Sequence, residues 1–185
     1  MFGKNIKFKN FKKIKILSKV KRNLKILLKE NSQVLASLKS TYKNNYDFKK
    51  ILKLKDNLDV RIIGIGGSIL GAKAIYDFLS IKKKFYFIDN LKSKENLKKT
   101  NYLNLVISKS GNTLETIANV NILLTKKDKN IFITENKKSY LYKVAENLKS
   151  QIIHHNNFIG GRYSVLSEVG MLPAELMGLN PNKFR

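Results

Sequence analysis

Three short stretches of this chain combine glycine, hydroxyl and cationic residues in patterns that suit an anionic ligand. The first is Gly64-Ile65-Gly66-Gly67-Ser68-Ile69-Leu70-Gly71, directly after an apolar run. Its glycines let a backbone turn tightly and approach a ligand with no Cβ in the way. The Ser68 hydroxyl can cap a following helix or touch a ligand. The G-x-G-G-S spacing is not the dinucleotide fingerprint, for which Asp89 would be the nearest ribose-binding acid. A plain tight turn with a serine cap explains this stretch as well. The second is Ser108-Lys109-Ser110-Gly111-Asn112-Thr113-Leu114-Glu115-Thr116. Free N–H groups and a partial positive charge gather where a helix begins, and hydroxyls and a lysine beside them make a nest for a phosphate dianion. An ordinary capping box headed by Thr113 accounts for one or two of these residues but not for the run. Glu115 reads as structural, since a carboxylate would repel bound phosphate. The third is Phe158-Ile159-Gly160-Gly161-Arg162-Tyr163-Ser164-Val165-Leu166-Ser167. The glycine pair brings backbone close to something, and Arg162 supplies a permanent planar cation able to stabilise an anionic intermediate. A surface ion pair is the bland alternative for Arg162.

These stretches need elements to hold them. Val60–Ile65 reads as a buried strand, followed by a helix over Ser68–Leu79. Strands are predicted at Phe85–Ile88, Leu103–Ile107, Asn130–Thr134 and Gln151–Ile153. Helices are predicted at Thr113–Leu124 and Ser139–Leu148, with a polar helix or turn at 91–99. Such alternation implies an α/β fold: a doubly wound, parallel, five-stranded sheet with helices on both faces. Ligands bind such sheets beyond the carboxyl ends of the strands, where all three stretches fall. Ahead of this unit, residues 1–58 form a basic helical segment. Ile14, Leu17, Val20, Leu24, Leu27 and Leu28 mark an amphipathic helix lying on something. A shorter helix runs through Val34, Leu35 and Leu38, and residues 39–58 read as a polar connecting segment.

The net charge is +24, of which residues 1–58 contribute +14 and residues 59–185 contribute +10. Abundant Lys, Asn and Ile with few Arg suit a codon-biased composition. The field still favours anionic ligands such as phosphosugars. Residues 1–58 show no helix-turn-helix pattern, so nucleic acid is not the expected partner. The absence of cysteine removes disulfides and thiolate chemistry. His154 and His155 are adjacent on a strand and point to opposite faces, so no metal site is expected. No apolar run reaches membrane-spanning length and no secretory leader is evident, so no membrane partner is expected and the expected location is cytoplasmic.

Together, GIGGSILG, SKSGNTLET and GGRYSVLSEVGMLP resemble the glucose-6-phosphate isomerase (phosphoglucose isomerase) family, in the family's order, over about Asp59 to Gly178. The resemblance implies a flavodoxin-like sugar isomerase (SIS) domain over residues 59–185. It implies that Ser108, Lys109, Ser110 and Thr113 bind the substrate phosphate, and that Gly67, Ser68 and Gly161 line the sugar. Arg162 would stabilise the cis-enediol(ate) formed as glucose 6-phosphate and fructose 6-phosphate interconvert. No cofactor is implied, and members are homodimers with composite sites. The family's glutamate base, ring-opening histidine and C-terminal lysine lie beyond the GGR segment and have no counterpart here. Glu168 and Glu175 fall in a scaffold helix, and His154 and His155 precede GGR. The chain is therefore expected to be the N-terminal portion, catalytically incomplete alone. Its C-terminal half would come from further sequence or from a separate chain, and the sheet unit would leave an apolar face uncovered. A sugar-phosphate-sensing regulator and a phosphoglucose/phosphomannose isomerase are the alternative readings.

Overall fold

The computed structural model describes residues 17–30, 32–55, 57–92, 101–125 and 127–185. Along the chain run α1 (Ser18–Lys29), α2 (Gln33–Ser37), α3 (Phe48–Lys55), β1 (Asp59–Ile63), α4 (Leu70–Phe78), β2 (Phe85–Ile88) and β3 (Tyr102–Ile107). After these come α5 (Leu114–Leu123), β4 (Lys129–Thr134), α6 (Tyr140–Asn147), β5 (Gln151–His154) and α7 (Glu168–Leu176). The five strands form one parallel sheet in the order β2-β1-β3-β4-β5, the flavodoxin-like order.

The central strands are rich in buried apolar residues because both of their faces are covered. Alternate residues sort the core into two layers. Val60, Ile62, Leu103, Leu105, Ile107, Ile131, Ile133 and Ile153 pack with Ile51 of α3, Ile69 and Ala72 beside and within α4, and Val169, Leu172 and Leu176 of α7. Ile63, Val106 and Phe132 meet Val120 and Leu123 of α5 and Leu141 and Ala145 of α6 on the other side. The second face also carries a polar row. Arg61 Nε donates to Asn104 Oδ1 at 2.7 Å, and Asn104 Nδ2 donates to Asn130 Oδ1 at 2.8 Å. Arg61 also reaches the Leu123 carbonyl at 2.9 Å and Asp128 at 3.6 Å. These groups can be buried because each is paired.

Two expectations for the N-terminal segment need correcting. Residues 48–55, read as connecting chain, form α3. Its inward positions, Phe48, Ile51 and Leu54, are separated by lysines that hide the helical spacing, yet Ile51 is fully buried. The sequence has α1 lying on something, but among the described residues it lies on nothing. It has no buried residue, and its large apolar side chains are 44–60% exposed. Ile14 and residues 93–99 of the expected polar helix or turn lie outside the described residues.

Candidate functional site

Strand register brings the three chemical stretches to one edge. Ile63 pairs with both Ile88 and Val106, Ile107 pairs with Ile133, and Thr134 pairs with His154. The loops beginning at Gly64, Ser108 and His155 therefore leave the same end of the sheet. From β1 the chain moves to β2 on one side, and from β3 it moves to β4 on the other. Loops diverging from neighbouring strands leave a crevice between them.

In the first loop Gly66–Ser68 makes a single 3-10 turn, and α4 begins only at Leu70. Ser68 is thus not the first residue of the helix, and the residue at its N-cap position, Ile69, offers no side-chain cap. Among the described residues the Ser68 hydroxyl does not cap the helix. Gly67 abuts the backbone of Gly161 so closely that a Cβ would overlap the Gly161 peptide. Ser164 Oγ closes the junction, donating to the Gly161 carbonyl at 2.7 Å with the Gly67 carbonyl 3.3 Å away. The third stretch, a 3-10 helix over Gly161–Leu166, is thereby fixed onto the first. Val165 reinforces this by fitting between Gly71 of α4 and Gly170 of α7.

The second loop starts α5. Thr113 occupies the N-cap position, but its side chain does not cap. Its Oγ1 lies 3.0 Å from Ser108 Oγ, making a hydroxyl pair at the helix mouth. Thr113 thus heads no capping box, and among the described residues the first-turn N–H groups of this ten-residue helix have no side-chain acceptor. Ser110 Oγ accepts from the Asn112 N–H at 3.2 Å. Asn112 Oδ1 in turn accepts from the Tyr140 N–H at 2.9 Å, tying this loop to the start of α6. Gly111 holds φ of +64°, with Ser139 where a side chain would go. Glu115 is exposed in the first turn, on the outside of the nest, where it complements the helix dipole.

Lys109 joins the second stretch to the third. Its Nζ donates to the Asn157 carbonyl at 2.7 Å and lies 3.4 Å from Glu135 Oε1. Its charge stays beside the loop, but its head is already held. Arg162 is the opposite case. It is exposed, and among the described residues its guanidinium makes neither a hydrogen bond nor an ion pair.

Glu168, Glu175 and His155 nearby each have a structural partner. Glu168 is buried and accepts from Tyr42 Oη at 3.2 Å and from the Asn45 N–H at 3.0 Å. Glu175 accepts from Tyr46 Oη at 2.8 Å. Burial first, and then these carboxylates, push both tyrosine hydroxyls far above their usual range, so they remain donors. His155 is buried, with Nε2 3.0 Å from the Ile159 carbonyl and Nδ1 3.9 Å from Glu168. Burial holds its pKa below the usual histidine value. The structural role expected for the strand-end histidine holds for His155. The partners Tyr42, Asn45, Tyr46 and Asn157 carry no periodic or motif signal and were not anticipated.

Among solved structures the chain is similar to a hypothetical protein of Thermus thermophilus. The two are 25% identical with a TM-score of 0.63, over 87% of this chain and 43% of that one. It is also similar in fold to the Escherichia coli tagatose-6-phosphate ketose/aldose isomerase, at 19% identity and a TM-score of 0.56, over 75% of this chain and 42% of that one. Sheet order and these likenesses define the sugar isomerase fold that the sequence suggested. The sequence model of the phosphoglucose isomerase family matches residues 18–182, and the chain belongs to that family. A relative, the glucose-6-phosphate isomerase of Mycoplasma genitalium, is 36% identical over 152 residues, covering 72% of this chain and 35% of the relative. The chain spans little more than a third of the length of the curated relatives it matches. No helix among the described residues is long and apolar enough to cross a membrane.

Proposed function

We propose that this chain supplies the sugar-phosphate-binding N-terminal part of a glucose-6-phosphate isomerase, which interconverts glucose 6-phosphate and fructose 6-phosphate in glycolysis and gluconeogenesis. The observation that carries this reading is the uncapped N-terminus of α5, with the Ser108–Thr113 hydroxyl pair at its mouth and Lys109 beside it. A phosphate dianion meets backbone N–H groups, hydroxyl donors, a helix dipole and a cation there. Ser108, Lys109, Ser110 and Thr113 hold the phosphate, and Gly67, Ser68 and Gly161 form the wall against the sugar. Arg162 follows Gly161 directly, where a fixed cation offsets the charge that develops on the enediolate oxygen.

The reaction moves the carbon-bound proton from C2 to C1 of the open-chain aldose and the hydroxyl proton from O2 to O1, so that the carbonyl passes from C1 to C2. It needs a base within reach of the carbon acid. Glu168 and Glu175 are held by Tyr42, Asn45 and Tyr46, and Glu135 and Asp89 are paired with Lys109 and Lys73. These four described carboxylates are already held, and we propose that the base comes from a second sugar isomerase domain joined to, or assembled with, residues 59–185. A homodimer working in the cytoplasm is the form we expect of the complete enzyme.

The test is a coupled assay of fructose 6-phosphate conversion by the purified chain, alongside calorimetry with the same sugar phosphate. Binding without turnover is the expected result. Turnover by the chain alone would make Glu168 or Glu175 the base and refute the incomplete site; a folded chain that binds no sugar phosphate would refute the reading altogether. Comparing mannose 6-phosphate with the completed enzyme sets its specificity.

A further inference from the structure

A lysine is a difficult group to aim at a ligand. Its ammonium rides on a flexible four-carbon stem, and ordering that stem when an anion binds costs conformational entropy. Here the end of β4 does much of the ordering in advance. Register pairs Ile107 with Ile133, so the chain leaving β3 runs beside the chain leaving β4. The Glu135 N–H donates to the Lys109 carbonyl at 3.0 Å, and Thr134 Oγ1 donates to the same carbonyl at 3.2 Å. These two bonds fix the backbone from which the lysine starts. The carboxylate of the same glutamate meets the lysine where it ends, with Oε1 3.4 Å from Lys109 Nζ. Nζ also donates to the Asn157 carbonyl at 2.7 Å. The ammonium is thus held between the loops that leave β4 and β5.

Two features separate this pair from an ordinary surface ion pair, which contributes little. The Lys109 and Glu135 side chains are 33% and 20% exposed, so both are largely withdrawn from solvent. The partner is also set by the backbone bond between the same two residues, not by the encounter of two free side chains. The arrangement still leaves room for a ligand. An ammonium carries three N–H donors. The Asn157 carbonyl takes one, and the Glu135 contact occupies at most one more. At least one donor is left for an anion.

We propose that Glu135 is a positioning residue for the phosphate site. It holds the Lys109 ammonium beside the mouth of α5 before the sugar phosphate arrives, so that binding does not have to order a free lysine. Glu135 acts through Lys109 and not on the substrate. Its carboxylate also has an opposing effect, because a negative charge near a phosphate dianion repels it. The two effects are separable, since the first needs Lys109 and the second does not. This inference rests on the reading of Lys109 as a ligand of the substrate phosphate.

The experiment is calorimetric titration of the 185-residue chain with fructose 6-phosphate and with inorganic phosphate, in the Lys109 and Lys109→Ala backgrounds. With Lys109 present, Glu135→Gln should weaken both ligands about five-fold, as expected when one long side chain must be immobilised on binding. In the Lys109→Ala background the same substitution should leave affinity unchanged or raise it, because only the repulsion is removed. Glu135→Asp, which keeps the charge, should recover at least half of the lost binding free energy. Unchanged or tighter binding by Glu135→Gln with Lys109 present would make Glu135 a bystander or a brake and overturn the inference. Equal weakening in both backgrounds would overturn it by assigning the effect to loop structure, and no recovery by Glu135→Asp would overturn it by removing the charge from the account. A parent chain that binds neither ligand refutes the proposed function and this inference with it. A parent that binds, combined with any of the three contrary results, sinks the inference alone.

Discussion

Replacing Gly67 by alanine tests whether the first and third stretches are held as one body. The glycine is not required by backbone conformation, since its φ lies outside the left-handed region. The demand comes from space alone. A Cβ at Gly67 overlaps the carbonyl carbon and oxygen of Gly161, which are backbone atoms and cannot swing away as a side chain would. Overpacking a tight contact costs about 1–3 kcal/mol when neighbours can adjust. Here the adjustment must separate two loops and break the Ser164 contact to the Gly67 carbonyl, so we expect a loss of about 3 kcal/mol. For a chain of this size that corresponds to a fall in melting temperature of about 6–12 °C. Gly160→Ala is the matched control: the nearest atom to a Cβ there is 3.9 Å away and φ is −73°, so it should melt within about a degree or two of the parent. The assay is thermal unfolding followed by circular dichroism, with fructose 6-phosphate affinity measured in parallel. A Gly67→Ala protein that melts with the parent, or a Gly160→Ala protein equally destabilised, would refute the loop-on-loop contact as the constraint.

Three other outcomes are expected. Lys109→Ala combined with Thr113→Ala should weaken fructose 6-phosphate and inorganic phosphate binding about ten-fold or more by calorimetry, as loss of charge-assisted hydrogen bonds implies; unchanged affinity would remove the phosphate assignment. Asp128→Ala should cost about 3–5 kcal/mol in urea unfolding, because it leaves the buried Arg61 cation without its carboxylate and the Tyr102 and Thr125 N–H groups without an acceptor. For His155, a pKa depressed by burial means that the unfolded chain takes up the proton first. Its contribution is fully present above the ordinary histidine value near 6.5 and declines as pH falls below it. His155→Phe should flatten the difference in stability between about pH 7.5 and about pH 5.5, and an unchanged slope would assign that dependence to other groups.

The sheet was legible in the sequence because parallel strands covered on both faces read as short apolar runs, and all five predicted strands are present within two residues at each end. The helices after them were found from their spacing. α3 was not, since Phe48, Ile51 and Leu54 are set among lysines whose charged heads point outward while the stems share the helix surface. The glycines and hydroxyls of the site were visible as local runs. What joins them was not. The contacts Gly67–Gly161 and Lys109–Asn157 link residues far apart in the chain, and no spacing rule within one segment reports on another. The ties from Glu168 to Tyr42 and Asn45 were hidden for the same reason.

The polar row Arg61, Asn104 and Asn130 lies toward the opposite end of the sheet from the ligand-facing loops. These three residues are direct register partners across β1, β3 and β4. Sliding β3 by one residue would carry Asn104 into the apolar layer beneath α4 and α7 and set leucines against the Arg61 guanidinium, while the flanking valines and isoleucines would tolerate the slip far better. The row therefore works as a key that admits one alignment of strands that are otherwise nearly interchangeable. A slip of one residue would shift Ser108 about 3.3 Å relative to Gly64, more than a hydrogen bond can span. The placement of the phosphate-facing hydroxyls beside the Gly67 turn is thus calibrated at the far end of the sheet.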